Sequence, residues 1–176
     1  FDDLLLYTYL LFDRVEETRR RYAERFRFIL VDEYQDTNYA QHAIVSQLTR
    51  DNHNICVVGD DAQSIYSFRG ANIDNILQFH RQYPEAVTVK LEQNYRSTQN
   101  IVGAANSIIR HNKEQIEKTV YSENALGDQV LVMPASTDKE EAAKVVGTIS
   151  RLHRREQVPY NEIAILYRTN AQSRSF

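Results

Sequence analysis

Three apolar runs, RFILVDE (27–33), NICVVGDD (54–61) and AVTVKLEQ (86–93), alternate with amphipathic stretches, and each leads into a polar cluster. Strands that alternate with helices specify an α/β architecture with mainly parallel sheets, since a parallel pair needs a crossover between its members. The first two runs are short and rich in β-branched or aromatic residues, so they read as strands buried on both faces. Helical patterns cover 2–24, 36–50, 71–84 (closed by Pro84) and 97–112, where Ile101, Ala105, Ile108 and Ile109 share a face. Further along, DQVLVMP (128–134) and the strand-like NEIAILYRT (161–169) flank a helix expected over about 138–154. Thr137 and Glu140 have the spacing of a capping box at its start.

The polar clusters DEYQD, GDDAQS and EQNYRST all fall at strand carboxyl ends, the edge where open α/β sheets form their ligand crevice. Asp32 and Glu33 have two readings. An Asp at a strand end can hold Mg²⁺ while the next Glu polarises an attacking water, as phosphoryl transfer requires. Alternatively, the acids only favour the N-terminus of the helix that follows. In GDDAQSIYSFRGA (59–71), Gly59 permits a tight turn, Asp60 can bond backbone or ligand, and Gln63 can bond a phosphate oxygen or a water. The plainer alternative is a polar turn satisfied by its own side chains. Tyr66, Phe68 and Arg69 interleave aromatic and basic character, which suits single-stranded nucleic acid as well as an ordinary core. Arg96 reads as an arginine finger or as a surface salt-bridge residue, and Tyr95 as a stacking ring for a nucleobase.

Composition excludes little. Net charge is −3, so bulk charge drives the chain toward neither nucleic acid nor anionic membrane, although a local basic groove stays open. The lone Cys56, inside NICVVG, reads as a buried thiol, and no internal disulfide can form. No apolar stretch reaches membrane-spanning length and no basic-then-apolar leader opens the chain, so the expected setting is soluble, reducing and cytoplasmic. The five histidines, at 42, 53, 80, 111 and 153, lack metal-ligand spacing. The basic runs at 19–27 and 151–156 read as solvated helix faces. The chain starts at Phe1 without an initiator Met, which suggests a piece of a longer protein.

Taken in order, the clusters closely resemble superfamily 1A DNA helicases of the UvrD/PcrA/Rep type. ILVDEYQDTN resembles the family's motif II, its Walker B segment; VVGDDAQSIYSFRGA resembles motif III, and LEQNYRST motif IV. FDDLL (1–5) and IAILYRTNAQSR (163–174) match further family segments. The resemblance implies RecA-like parallel-sheet motor lobes of the P-loop NTPase class, present incompletely. It implies that Asp32 helps hold Mg²⁺, with Glu33 beside it activating the hydrolytic water, and that Gln63 senses the terminal phosphate of ATP. Tyr95 would stack on adenine and Arg96 would serve as the arginine finger. Tyr66, Phe68 and Arg69 would line the path of single-stranded DNA, with Phe68 where many relatives carry Trp.

The resemblance further implies a first motor domain (1A) ending near residue 95 and a second (2A) opening over 96–176. No G-x-x-x-x-G-K-[ST] occurs in the sequence, so the phosphate cradle expected of such a motor is missing and the piece by itself is expected to be inert. The implied parent is an ATP-driven 3′-to-5′ helicase acting on single-stranded and duplex DNA in repair or replication. Two alternatives stand beside it: a helicase-nuclease relative, and a non-catalytic binding module that keeps helicase-like motifs.

Overall fold

The computed structural model describes residues 1–176, which form two compact units, Phe1–Gly127 and Asp128–Phe176. In the first unit the expected helix over 2–24 is two helices, α1 (Asp2–Arg14) and α2 (Glu16–Arg25), broken at a non-helical Val15 (φ −121°, ψ 81°). The charges suit the break: Arg14 closes one helix, and Glu16 and Glu17 open the next, each sign facing the favourable end of a helix dipole. The turn sends Arg19 inward. Its side chain is 1% exposed, bonded to Glu16, to Asp51 at 2.7 Å and to the Gln47 carbonyl at 2.9 Å. The basic run at 19–27 is therefore not a wholly solvated face: Arg19 pins α2 to the end of α3 (Tyr39–Thr49).

Strands β1 (Ile29–Val31) and β2 (Ile55–Val57) pair in parallel, with Ile29 opposite Ile55 and Val31 opposite Val57, and α3 lies between them in sequence. This is an α/β arrangement with a small parallel sheet. The two strands are not buried on both faces, since Leu30 is 77% exposed, and Cys56 opposite it is exposed too. The third apolar run, 86–93, forms no strand. Val87, Val89 and Leu91 are exposed, and only Gln93 makes an isolated bridge, to Tyr121. Residues 128–134 and 161–169 likewise form no strand, with Val132 and Leu166 exposed.

These departures have one cause. Apolar alternation reports the surface a strand presents, but a strand exists only where a neighbour takes its N–H and C=O groups. Here only β1 and β2 find each other. The accessible surface agrees: it is 13950 Å², whereas two separate compact bodies of this total mass would expose about 10,500 Å². In α6 (Gln99–Ile109) the buried residue is Val102, while Ile101, Ala105 and Ile108 face outward.

The expected helix over 71–84 is two short turns, α4 (Asp74–Leu77) and α5 (Phe79–Gln82), bent at Gln78. The bend seats Phe79 edge-on to Tyr34 at 5.8 Å and stacks it on Tyr83 at 4.7 Å. Tyr34 is fully buried and its hydroxyl meets His42 Nδ1 at 2.6 Å. Tyr83, 3% exposed, shares a 2.6 Å hydrogen bond with Thr49. This aromatic core lies directly beneath the turn that follows β1.

The second unit is built on α7 (Asp138–Glu156). Thr137 Oγ1 accepts from the Glu140 N–H at 3.2 Å, but the Glu140 carboxylate accepts from Ser136 rather than from Thr137, so the box closes one residue upstream. Past the helix end, Tyr160 stacks on His153 at 4.0 Å.

Candidate functional site

Strand β1 delivers Asp32 and Glu33 at its carboxyl end, and the ladder continues one step on each side: Val58 donates to Val31 and Tyr34 donates to Val58. The chain then turns sharply, with Glu33 in the left-handed region (φ 49°, ψ 43°). Such a backbone costs an L-residue about 1–2 kcal/mol and persists only where its surroundings over-determine it. The buried Tyr34 and Gln35, immediately after it, supply that constraint.

The two readings of the acid pair are separated by what caps α3. Asn38 and Gln41 form a complete reciprocal capping box there: Asn38 Oδ1 accepts from the Gln41 N–H at 2.9 Å, and Gln41 Oε1 accepts from the Asn38 N–H at 2.8 Å. Neither Asp32 nor Glu33 makes a capping hydrogen bond to that helix. Both are exposed. Asp32 Oδ1 accepts the Glu33 N–H at 2.9 Å, and Glu33 Oε2 accepts from Gln35 Nε2 at 2.8 Å.

Gln35 connects the first cluster to the second. It is 1% exposed; its Nε2 donates to Glu33, and its Oε1 accepts the Asp60 N–H at 3.0 Å. The amide orientation follows from chemistry, because a carboxylate only accepts and a backbone N–H only donates. Gly59 makes the approach possible. A Cβ there would lie 2.5 Å from Gln35 Oε1 and 3.2 Å from the Tyr34 nitrogen. Beyond Gly59, Asp60 Oδ2 accepts from Gln63 Nε2 at 2.7 Å, and Asp60 Oδ1 accepts from Ala62 and from Lys118 Nζ. Lys118 also reaches Asp61, whose side chain is 2% exposed, at 2.8 Å. Burial alone would raise the Asp60 carboxyl, but hydrogen bonds from Lys118 and Gln63 outweigh it and hold the group below the usual carboxylate range. Burial would likewise lower the Lys118 amine, and the two aspartates push it up instead.

Tyr66, Phe68 and Arg69 come together on a tight helical turn. The two rings are 6.0 Å apart, and the Arg69 guanidinium lies 5.2 Å from one and 5.4 Å from the other. Phe68 is 72% exposed, so a large apolar face stands in solvent beside a cation. The third cluster stands apart. Asn94 Oδ1 accepts the N–H groups of Arg96 and Ser97, and Tyr95, 78% exposed, donates its hydroxyl to Gln93. Arg96 is exposed and takes part in none of the ion pairs, and no hydrogen bond joins it to Asp32, Glu33 or Gln63. Two concave surfaces, of about 450 and 490 Å³, are lined by none of these residues.

Residues 1–84 match the UvrD/REP helicase N-terminal domain, and residues 89–176 match the UvrD-like helicase C-terminal domain. The chain belongs to the UvrD-like helicase family. It is 53% identical over 174 residues to the ATP-dependent DNA helicase PcrA of Staphylococcus epidermidis, and 49% identical over 175 residues to that of Leuconostoc citreum. Each comparison covers 99% of this chain; the chain spans 24% and 23% of the two relatives' lengths.

For a UvrD-like helicase segment, the residues at β1 suit a magnesium–nucleotide site rather than a preformed metal cage. No group of three potential metal ligands converges anywhere in the chain. Mg²⁺ characteristically takes one or two carboxylates and completes its shell with substrate phosphates and water. Asp32 and Glu33 offer hard oxygens of that kind on an open surface, each with one oxygen outside the hydrogen bonds described above. Gln35, Asp61 and Lys118 join this network although their residue types alone mark none of them as site residues. Gln35 has a local signal, since it follows Glu33 by two residues and faces a glycine-opened turn. Lys118 has none: 58 residues separate it from Asp60.

Proposed function

We propose that this chain is the central part of an ATP-driven 3′-to-5′ DNA helicase or translocase working in DNA repair or replication. The observation that carries the reading is the unbroken hydrogen-bond chain from Glu33 through Gln35 and Asp60 to Gln63. A water-activating carboxylate and a phosphate-sensing amide must keep fixed relative positions, because phosphoryl transfer is catalysed mainly by positioning and charge stabilisation. The relatives' name, ATP-dependent DNA helicase, is consistent with such a network.

In this reading Asp32 and Glu33 would hold Mg²⁺, which would neutralise phosphate charge when bound. Glu33 accepts a proton from the hydrolytic water. Gln63, with Nε2 committed to Asp60, presents its carbonyl oxygen to a water and keeps its second N–H for a phosphate oxygen. Tyr95 stacks on the adenine, and Arg96 swings in as the arginine finger when the two motor domains, residues 1–95 and 96–176, close on ATP. Tyr66, Phe68 and Arg69 hold single-stranded DNA, with Phe68 as the stacking ring. The 176 residues contain no phosphate-cradle motif, so they do not hydrolyse ATP by themselves.

The test uses the full-length protein. Glu33→Gln is expected to cut DNA-stimulated ATP hydrolysis by at least about 100-fold while ATP still binds. Unwinding should require a 3′ single-stranded tail. Turnover retained in Glu33→Gln, or unwinding from a 5′ tail alone, refutes the proposal.

A further inference from the structure

One basic side chain links the two halves of the family match. Lys118, within the C-terminal match, lies 2.6 Å from Asp60 Oδ1 and 2.8 Å from Asp61 Oδ1, both within the N-terminal match. It is 19% exposed, and its partners are 34% and 2% exposed. Adjacent carboxylates held this closely repel each other, and one cation between them removes that repulsion. The neighbouring backbone joins in, as the Ile116 N–H donates to Asp61 Oδ2 at 2.9 Å.

The same short segment reaches the other way. Thr119 N–H donates to Glu92 Oε1 at 2.8 Å, Tyr121 N–H to the Glu92 carbonyl at 2.9 Å, and Asn94 N–H to the Tyr121 carbonyl at 2.7 Å. Residues 116–121 thus form a strap with one end on the Asp60–Asp61 turn and the other at the base of the Tyr95–Arg96 loop. What Lys118 does for Asp60 is specific. The carboxylate uses Oδ1 for Lys118 and Ala62, and Oδ2 for Gln63. With Oδ1 pinned, Oδ2 has one direction left, and it sets the Gln63 amide.

We propose that Lys118 is a positioning residue for Gln63, acting through the Asp60 carboxylate, and that the 116–121 strap ties this setting to the Tyr95–Arg96 loop. This rests on Gln63 being the phosphate sensor of the preceding section.

The experiment measures ATP hydrolysis by the full-length protein with and without saturating single-stranded DNA, for Gln63→Ala, Lys118→Met, Asp60→Asn and the double variant Lys118→Met/Gln63→Ala. Lys118→Met is expected to lower DNA-stimulated kcat by about tenfold while KM for ATP moves by less than about twofold, the signature of lost transition-state positioning. Asp60→Asn keeps the side chain's shape but cannot accept from both Lys118 and Gln63, so it should reproduce that loss even if Lys118→Met folds poorly. The double variant should be no slower than Gln63→Ala alone, because residues acting as a unit are non-additive. Losses that multiply in the double variant overturn the proposal, as do wild-type rates in both Lys118→Met and Asp60→Asn when Gln63→Ala is impaired. If Gln63→Ala itself retains full stimulation, the sensor reading fails first, and the inference falls with it.

Discussion

Substituting Gly59 by Ala tests the link between the two motif turns at its narrowest point. The new methyl would meet Gln35 Oε1 at 2.5 Å, Ile76 Cδ1 at 2.8 Å and the Tyr34 nitrogen at 3.2 Å. The isoleucine end can rotate away cheaply, but the Tyr34 backbone sits over a fully buried ring and cannot move. Relief must therefore come from Gln35, whose amide oxygen has to retreat by most of an ångström and release the Asp60 N–H now 3.0 Å away. A part-buried N–H left without a partner costs about 1–3 kcal/mol, and the residual crowding adds about 1 kcal/mol. A local cost of about 2–4 kcal/mol corresponds to about 30- to 900-fold faster amide exchange around residues 57–63. Hydrogen exchange read by mass spectrometry on the full-length protein resolves that range. Gly103→Ala is the control. It lies in α6 with nothing within 4 Å of its Cβ position, so it should be neutral or stabilise that helix by about 0.5–1 kcal/mol. Exchange around 57–63 unchanged within about threefold in Gly59→Ala would refute the close approach and the bridge built on it.

Three further outcomes follow from other parts of the chain. His42 is held below the ordinary histidine pKa, chiefly by burial, so the folded state keeps it neutral. A depressed folded pKa contributes stability above the ordinary histidine value that is lost as pH falls through the folded value. Unfolding monitored from neutral to mildly acidic pH should show this decline, and His42→Gln should flatten it; an unchanged slope refutes the assignment. Phe68→Ala is expected to weaken single-stranded DNA binding by the full-length protein by about 1–3 kcal/mol. Arg69→Gln should reduce the salt slope of binding by about one. Fluorescence anisotropy across a salt series separates the two, and wild-type affinity in Phe68→Ala removes it from the DNA path.

The elements legible in the sequence are those decided within a few residues. The Thr137 cap at the start of α7 and the acids after β1 are such cases. The sheet was legible only in part, because β-branched alternation in 86–93, 128–134 and 161–169 describes a surface without naming the strand that pairs with it. The α1–α2 break also escaped the periodicity, since Leu4, Leu5, Tyr7, Leu11 and Val15 read through it. Its cause is tertiary: Arg19 must reach Asp51 and the Gln47 carbonyl, 32 and 28 residues away. Lys118 was illegible for a related reason, because a lysine that bridges two turns from 58 residues away looks in sequence like any surface lysine.

These two scales of organisation explain how the motif turns keep a defined geometry beside so much uncovered apolar surface. The Glu33–Gln35–Asp60–Gln63 network draws every member from the turns after β1 and β2, whose ladder places Val31 and Val58 in direct hydrogen bonding. Its anchor is the Tyr34–Phe79–Tyr83 cluster, supplied by the same unit. The positions of Glu33 and Gln63 thus depend on contacts the chain carries within itself. The exposed faces of Leu30, Val87, Val89 and Leu91 make no such contribution. Covering them with further strands would add stability to the sheet without having to rearrange the hydrogen bonds at its carboxyl edge. Arg96 is the opposite case. Its loop is tied to the strap at Tyr121, but its guanidinium stands free, so its place relative to Glu33 depends on motion that the local network does not specify. The proposed motor would use that division: the carboxylate and amide assigned to water activation and phosphate sensing are kept in register, while the arginine assigned to charge neutralisation is left free to arrive.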